Sequence, residues 1–129
     1  MKFKVEGREF NVFVSELNRS ARIVESKLSG DVRSGEHFRD MVGTYYDYDI
    51  VIQTDALSET DYDDLYEALT APVESRVVEL PYGRGILTFE AYIDAVGDKL
   101  VSRRNGLSRW GELDVKFRAK RPQRRPSDG

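Results

Sequence analysis

Tyr45, Asp47 and Asp49 alternate along one stretch of this sequence, so a strand would set all three on one face. Two carboxylates on a shared face do acid–base work when their environments split their pKa values. Nothing in the surrounding pattern buries them, so an exposed or interface face is the expectation. His37 is the only histidine. With Glu36 and Arg39 nearby it has the makings of a general base. Its neighbourhood is rich in Gly and Ser and offers no nucleophile, which reads as surface. Asp61, Asp63 and Asp64 raise the question of a metal. Asp61 and Asp64 share a helical face, but a calcium loop needs a Gly-turned, non-helical spacing with a terminal Glu. A solvated, dipole-satisfying helix start explains them better. Pro81-Tyr82-Gly83-Arg84-Gly85 has glycines like a phosphate cradle. No Lys-Ser/Thr pair follows and the next element is a strand, so it reads as a hairpin turn. There is no cysteine, which excludes thiolate nucleophiles, disulfides and Cys-based metal sites. No catalytic, metal or cofactor-binding residue is therefore expected, and no cofactor or small-molecule substrate.

The charge pattern is more informative than any motif. The 129 residues carry a net charge of −3, with 33% charged and 40% hydrophobic residues. That composition is globular and suits one domain. From Asp55 to Glu67 there are six acids and no base, whereas Lys99 to Arg125 holds ten of the twenty Lys and Arg. An acidic middle and a basic end imply self-assembly, an oriented partner, or two solvated faces. The basic end, Arg118, Lys120, Arg121, Arg124 and Arg125, would also give a salt-dependent, sequence-blind affinity for nucleic acid. Stacking aromatics are scarce beside it, so nucleic acid ranks behind protein as a partner. No apolar run approaches a membrane span, and the charged N-terminus lacks the apolar stretch of a signal peptide.

The elements that position these residues are mostly strands. Phe3 and Val5, then Phe10, Val12 and Val14, alternate about Glu6-Gly7 and predict a β-hairpin. Ser15–Ser20 reads as a loop, Ala21–Leu28 as a strand, and Ser29–His37 as a mobile turn or long loop. Thr44–Thr54 is the clearest strand. Ser58–Ala71 is the one helix: Tyr62, Leu65, Tyr66 and Leu69 form one apolar stripe, and Pro72 ends it. Arg76–Leu80 and Ile86–Val96 make a second hairpin. Gly97–Ser108 reads as a polar, basic loop, and Trp110–Ala119 as the last strand. The expected core is Phe10, Val12, Tyr46, Tyr48, Ile50, Ile52, Leu65, Leu69, Leu87, Phe89, Ile93, Leu113, Val115 and Phe117. The fold class is mainly β (α+β): an antiparallel β-sandwich or partial barrel with one flanking helix, over a single domain of residues 1–119. Residues 120–129 are expected to form a flexible basic arm.

Gly43-Thr44-Tyr45-Tyr46-Asp47-Tyr48, the helix Tyr62–Leu69, Val77-Val78-Glu79-Leu80-Pro81-Tyr82-Gly83, Phe89–Ile93 and Trp110–Pro122 together resemble small structural proteins of tailed-phage and prophage tails. The likeness runs from about Arg39 to Pro122 and points to the tail-tube superfamily. That resemblance implies a β-sandwich or barrel with one helix, assembled into stacked rings around a channel, in a virion built in the bacterial cytoplasm. The additional C-terminal domain of a full distal tail protein is lacking, and the basic tail is a departure. The expected partners are copies of the chain and neighbouring tail proteins. The expected contact set is Asp31, Arg33, His37, Arg39, Asp61, Asp64, Arg118, Lys120, Arg121, Arg124 and Arg125, with the basic arm meeting the acidic helix face of a neighbour. The alternatives are a free-standing module that binds nucleic acid through the arm, and a small enzyme using the Tyr45/Asp47/Asp49 face.

Overall fold

A computed structural model describes residues 2–5, 7–27, 29–31, 35–53, 55 and 57–126. Alternating apolar and polar residues make most of this chain strand. In chain order the elements are β1 (Lys2–Val5), β2 (Arg8–Asn11), β3 (Phe13–Glu25), β4 (Gly30–Asp31), β5 (His37–Phe38), β6 (Met41–Gln53), α1 (Glu59–Thr70), β7 (Arg76–Tyr82), β8 (Gly85–Arg104) and β9 (Leu107–Ala119). Seven strands form one antiparallel sheet in the order β2-β1-β7-β8-β9-β6-β3, and β4 pairs separately with β5. The fold is mainly β with one helix, as expected.

The sheet rolls on itself. β2 and β3 stand at opposite margins, yet only Val12 separates them in sequence. Successive Cα atoms are about 3.8 Å apart, so the margins must meet at this corner. Val12 is buried there. Across the roll, the Tyr48 hydroxyl donates to the Pro81 carbonyl at 2.8 Å, and the Tyr46 and Tyr82 hydroxyls lie 3.1 Å apart. Both contacts join β6 to β7, which are not neighbours in the sheet. No ladder pairs β2 with β3 among the described residues, so the roll stays open.

α1 plugs the concave side. Ser58 caps its start, accepting a hydrogen bond from the Asp61 amide at 3.1 Å. Ala71 is extended before Pro72 and ends it. The last turn has no base of its own. Arg76, buried on β7, donates instead to the Ala68 carbonyl and to that of Ala71 at 3.4 Å. A cation at the carbonyl end of the helix offsets its dipole. Tyr62, Leu65 and Leu69 bury against Val5, Phe10, Ile50, Ile52, Leu80, Leu113 and Phe117 among others. Eleven of the fourteen expected core residues are buried, and Tyr46, Leu87 and Ile93 pack partly buried against them. Val5, Tyr62, Val78, Leu80, Ala91 and Ala119 complete the core.

Three expectations about irregular chain differ from the structure. Ser15–Ser20 is not a loop but part of β3: Glu16–Ser20 pair residue by residue with β6 after a register shift at Ser15. Most of its side chains are solvated on both faces, so no alternation marks it; the backbone ladder holds it, with Leu17 packed on the core and the Ser15 hydroxyl donating to the Val51 carbonyl at 3.3 Å. Gly97–Ser108 is not a loop either. It completes a long β8–β9 hairpin whose turn is Asn105-Gly106, both at positive φ (53° and 78°). The C-terminal segment is not a free arm over residues 120–126. The Gln123 amide donates to the Thr44 carbonyl and the Thr44 amide to that of Arg124, each at 2.8 Å. Gly43 permits this approach. It has φ +152°, and a Cβ there would strike the Arg124 carbonyl oxygen and lie 2.6 Å from Pro122 Cβ.

Candidate assembly interface

The charged residues expected to meet a neighbour are largely engaged within the chain. Asp64 pairs with Arg8 at 2.9 Å. Arg118 pairs with Asp49 at 2.8 Å and approaches Asp94 at 3.9 Å. Lys120 lies 3.3 Å from Glu74 and 3.8 Å from Glu90, and Arg121 lies 3.1 Å from Glu90. Arg39 pairs with Glu25. Asp61 is an exposed residue of the first helical turn. Arg124 is bound through its backbone to Thr44, and Arg125 follows it on the surface. Asp31 and His37 are opposed in the β4–β5 ladder; Arg33 lies outside the described residues. Lys120 and Arg121 of the basic end are thus paired with Glu74 and Glu90 rather than with the helix acids.

The Tyr45/Asp47/Asp49 face is likewise committed. Asp47 is buried, receives Arg22 through two nitrogens at 2.5 and 3.2 Å, and accepts the Ala119 amide at 3.3 Å. The hydrogen bond that Arg22 donates to Asp47 raises the pKa of Arg22, and the one that Arg118 donates to Asp49 raises that of Arg118. The Arg22 guanidinium also lies 4.9 Å from the centre of the Tyr45 ring. These carboxylates hold β3, β6 and β9 together. Five cavities of about 250–370 Å³ among the described residues are lined by other side chains.

The feature that residue spacing did not bring forward is the end of the β8–β9 hairpin. β9 leaves β6 at Leu113, and β8 has left β7 at Ala91. From Lys99 opposite Gly111 to Arg104 opposite Leu107, the two strands pair only with each other. Six residues of strand project about 20 Å at ~3.3 Å each. Register shifts at Gly97/Lys99 and Leu100/Ser102 bend this ribbon, and Glu112 takes φ +52° where it departs. Its apolar side chains face water: Leu100 is 45% exposed, Val101 64% and Leu107 57%. A two-stranded ribbon alone is marginal in water, and this one carries apolar side chains into solvent at its end. Asn105-Gly106 between two runs was the available signal, because it is the favoured pair for a two-residue hairpin turn.

Between the ribbon and α1 lies a cavity of about 250 Å³ lined by Tyr62, Asp63, Tyr66, Glu67, Asp98 and Trp110. Tyr62 and Tyr66 stack with centroids 6.5 Å apart. The buried Tyr62 hydroxyl donates to Asp98. Burial, then that hydrogen bond, pushes the Tyr62 pKa far above its ordinary value. Among the described residues, no three His, Asp or Glu side chains are grouped to hold a metal ion, and no helix is long and apolar enough to cross a membrane. No family model matches the chain, and no curated protein or solved structure matches it significantly.

Proposed function

We propose that this chain is a non-enzymatic structural subunit of a phage or prophage tail, a tube or distal-ring component that assembles with copies of itself and with neighbouring tail proteins in the virion. The tail setting comes from the resemblance of residues 39–122 to the tail-tube superfamily. The observation that carries the assembly is the ribbon, on which Leu100, Val101 and Leu107 are exposed to solvent. The 13-residue β3 supports the same reading, because it stands at a sheet margin with one side of its backbone unpaired in the ladder. Such margins are templates for association. A plug and an edge on different surfaces make heterologous contacts, which close into rings when the rotation is right.

The nucleic-acid alternative has less to work with, since Lys120 and Arg121 are held by Glu74 and Glu90. Negative-stain imaging and sedimentation velocity of concentrated protein test the assembly. Rings or short tubes are expected. A chain that stays monomeric at every concentration, and forms no ring when mixed with the other proteins of a tail, overturns the reading. Replacing the ribbon residues 100–109 by a short Gly-containing turn is expected to leave a folded monomer.

A further inference from the structure

We propose that the cavity between α1 and the ribbon is a socket for the arginine-bearing ribbon tip of a second copy of this chain. This deepens the assembly reading and rests on it. Three aromatic rings (Tyr62, Tyr66, Trp110) and three carboxylates (Asp63, Glu67, Asp98) line the cavity, and no cation does. Among the described residues, none of these carboxylates is in an ion pair; Asp98 accepts only from the Tyr62 hydroxyl. Aromatic faces attract a cation through their quadrupole, and more strongly when water is excluded. Carboxylates add charge-assisted hydrogen bonds, which suit a guanidinium because its donors are a planar fork. The chemistry that fills this cavity is therefore an arginine side chain.

Among the described residues, Arg103 and Arg104 are an adjacent exposed pair of arginines at the end of the ribbon. Arg8, Arg22, Arg39, Arg118 and Arg121 are already held by carboxylates. Arg103 donates to the neutral Ser108 hydroxyl, and Arg104 has no carboxylate partner. Both are exposed, immediately before the Asn105-Gly106 turn. The tip does not occupy the socket of its own chain: neither Arg103 nor Arg104 lines it. Trp110 on the rim is opposite Leu100, and the tip begins four residues further along β8 at Arg104, about 13 Å of strand at ~3.3 Å per residue. The tip of another copy is the occupant whose charge matches. Neighbouring residues of a strand point to opposite faces, so one arginine enters the socket while the other lies along its rim.

Trp110 is the only tryptophan, so its emission reports on the socket directly. The first measurement titrates the full chain with a backbone-cyclised peptide of residues 101–108, which contains no tryptophan. A saturable change in Trp110 emission is expected, weakened about thirtyfold in Asp63→Lys/Glu67→Lys and by added salt. The second follows self-association by sedimentation. Asp63→Lys/Glu67→Lys and Arg103→Glu/Arg104→Glu are each expected to weaken it by a similar factor, and their equimolar mixture to recover it. All four positions are solvent-exposed, so the fold survives the changes. An emission that ignores the peptide, with reversed-charge variants that associate like the parent, overturns the socket and leaves the assembly reading standing. A peptide that binds to a chain that never associates overturns the assembly reading and with it this partner.

Discussion

Gly43→Ala should release the C-terminal segment from β6, and its cost can be worked out. At φ +152° an added Cβ would strike the Arg124 carbonyl oxygen and sit 2.6 Å from Pro122 Cβ. Both obstacles belong to the segment, so the cheap relief is to let it go. Release breaks the hydrogen bonds from the Thr44 amide to Arg124 and from the Gln123 amide to Thr44, both 2.8 Å. Each is worth about 0.5–1.5 kcal/mol net, a combined loss of about 1–3 kcal/mol. Freeing a terminal segment returns backbone entropy, which offsets part of that. An alanine at φ +152° is also strained whatever the space, at about 1–3 kcal/mol, so the expected result is a global loss of that order together with a large local effect. Hydrogen exchange resolves the two: the Thr44 and Gln123 amides should lose protection while the Ile50 and Val115 amides keep theirs. A chain ending at Lys120 should show the same exposed Thr44 amide. In that shortened chain Gly43→Ala should have no further effect on it, because neighbours that share a contact are not additive. Unchanged Thr44 protection in Gly43→Ala would refute the steric argument.

Three further outcomes follow from the same contacts. Arg22→Met leaves the buried Asp47 carboxylate with the Ala119 amide alone, and should cost about 1.5–3 kcal/mol in urea unfolding; Arg22→Lys should recover part of this, since one ammonium cannot reproduce the two-nitrogen grip. Alkaline stability should fall as pH rises above about 10, the ordinary tyrosine value. The unfolded chain then gives up protons that Tyr62, raised by burial and its bond to Asp98, still holds in the folded state. The slope is at most about 1.4 kcal/mol per pH unit for this group, and Tyr62→Phe should flatten it; an unaltered slope would count against the buried phenol. Gly106→Val puts a β-branched residue at φ +78°, so the ribbon tip should fray in hydrogen exchange and self-association should weaken while the thermal midpoint of the core barely moves.

Much of the fold is legible in order of residues because one face of most strands is buried. Ile50 and Ile52 against Leu113 and Val115 repeat every second residue, and that period is itself the strand signal. The helix announces itself through Ser58, its acidic first turn and Pro72. Where both faces are wet the signal vanishes, as in Ser15–Ser20 and Gly97–Ser108. The charged candidates were harder still. Asp64 finds Arg8 56 residues away, and Arg118 finds Asp49 69 residues away. Charge asymmetry along a chain says nothing about which charges the fold will neutralise internally.

Alternation, turn chemistry and one amphipathic stripe by themselves determined that this is a mainly β protein with a single helix, because those are local preferences repeated every two or 3.6 residues. Tertiary structure alone decided that a one-residue corner at Val12 rolls the sheet, that residues 122–124 lie against β6 at Gly43 and Thr44, and that the end of the β8–β9 ribbon pairs with no other strand. Each of those depends on which strands become neighbours, a non-local choice made by burying the whole apolar set at once. The socket beside Trp110 belongs to that second class: its six lining residues come from positions 62 to 110, and only the packing of helix against ribbon makes them one site.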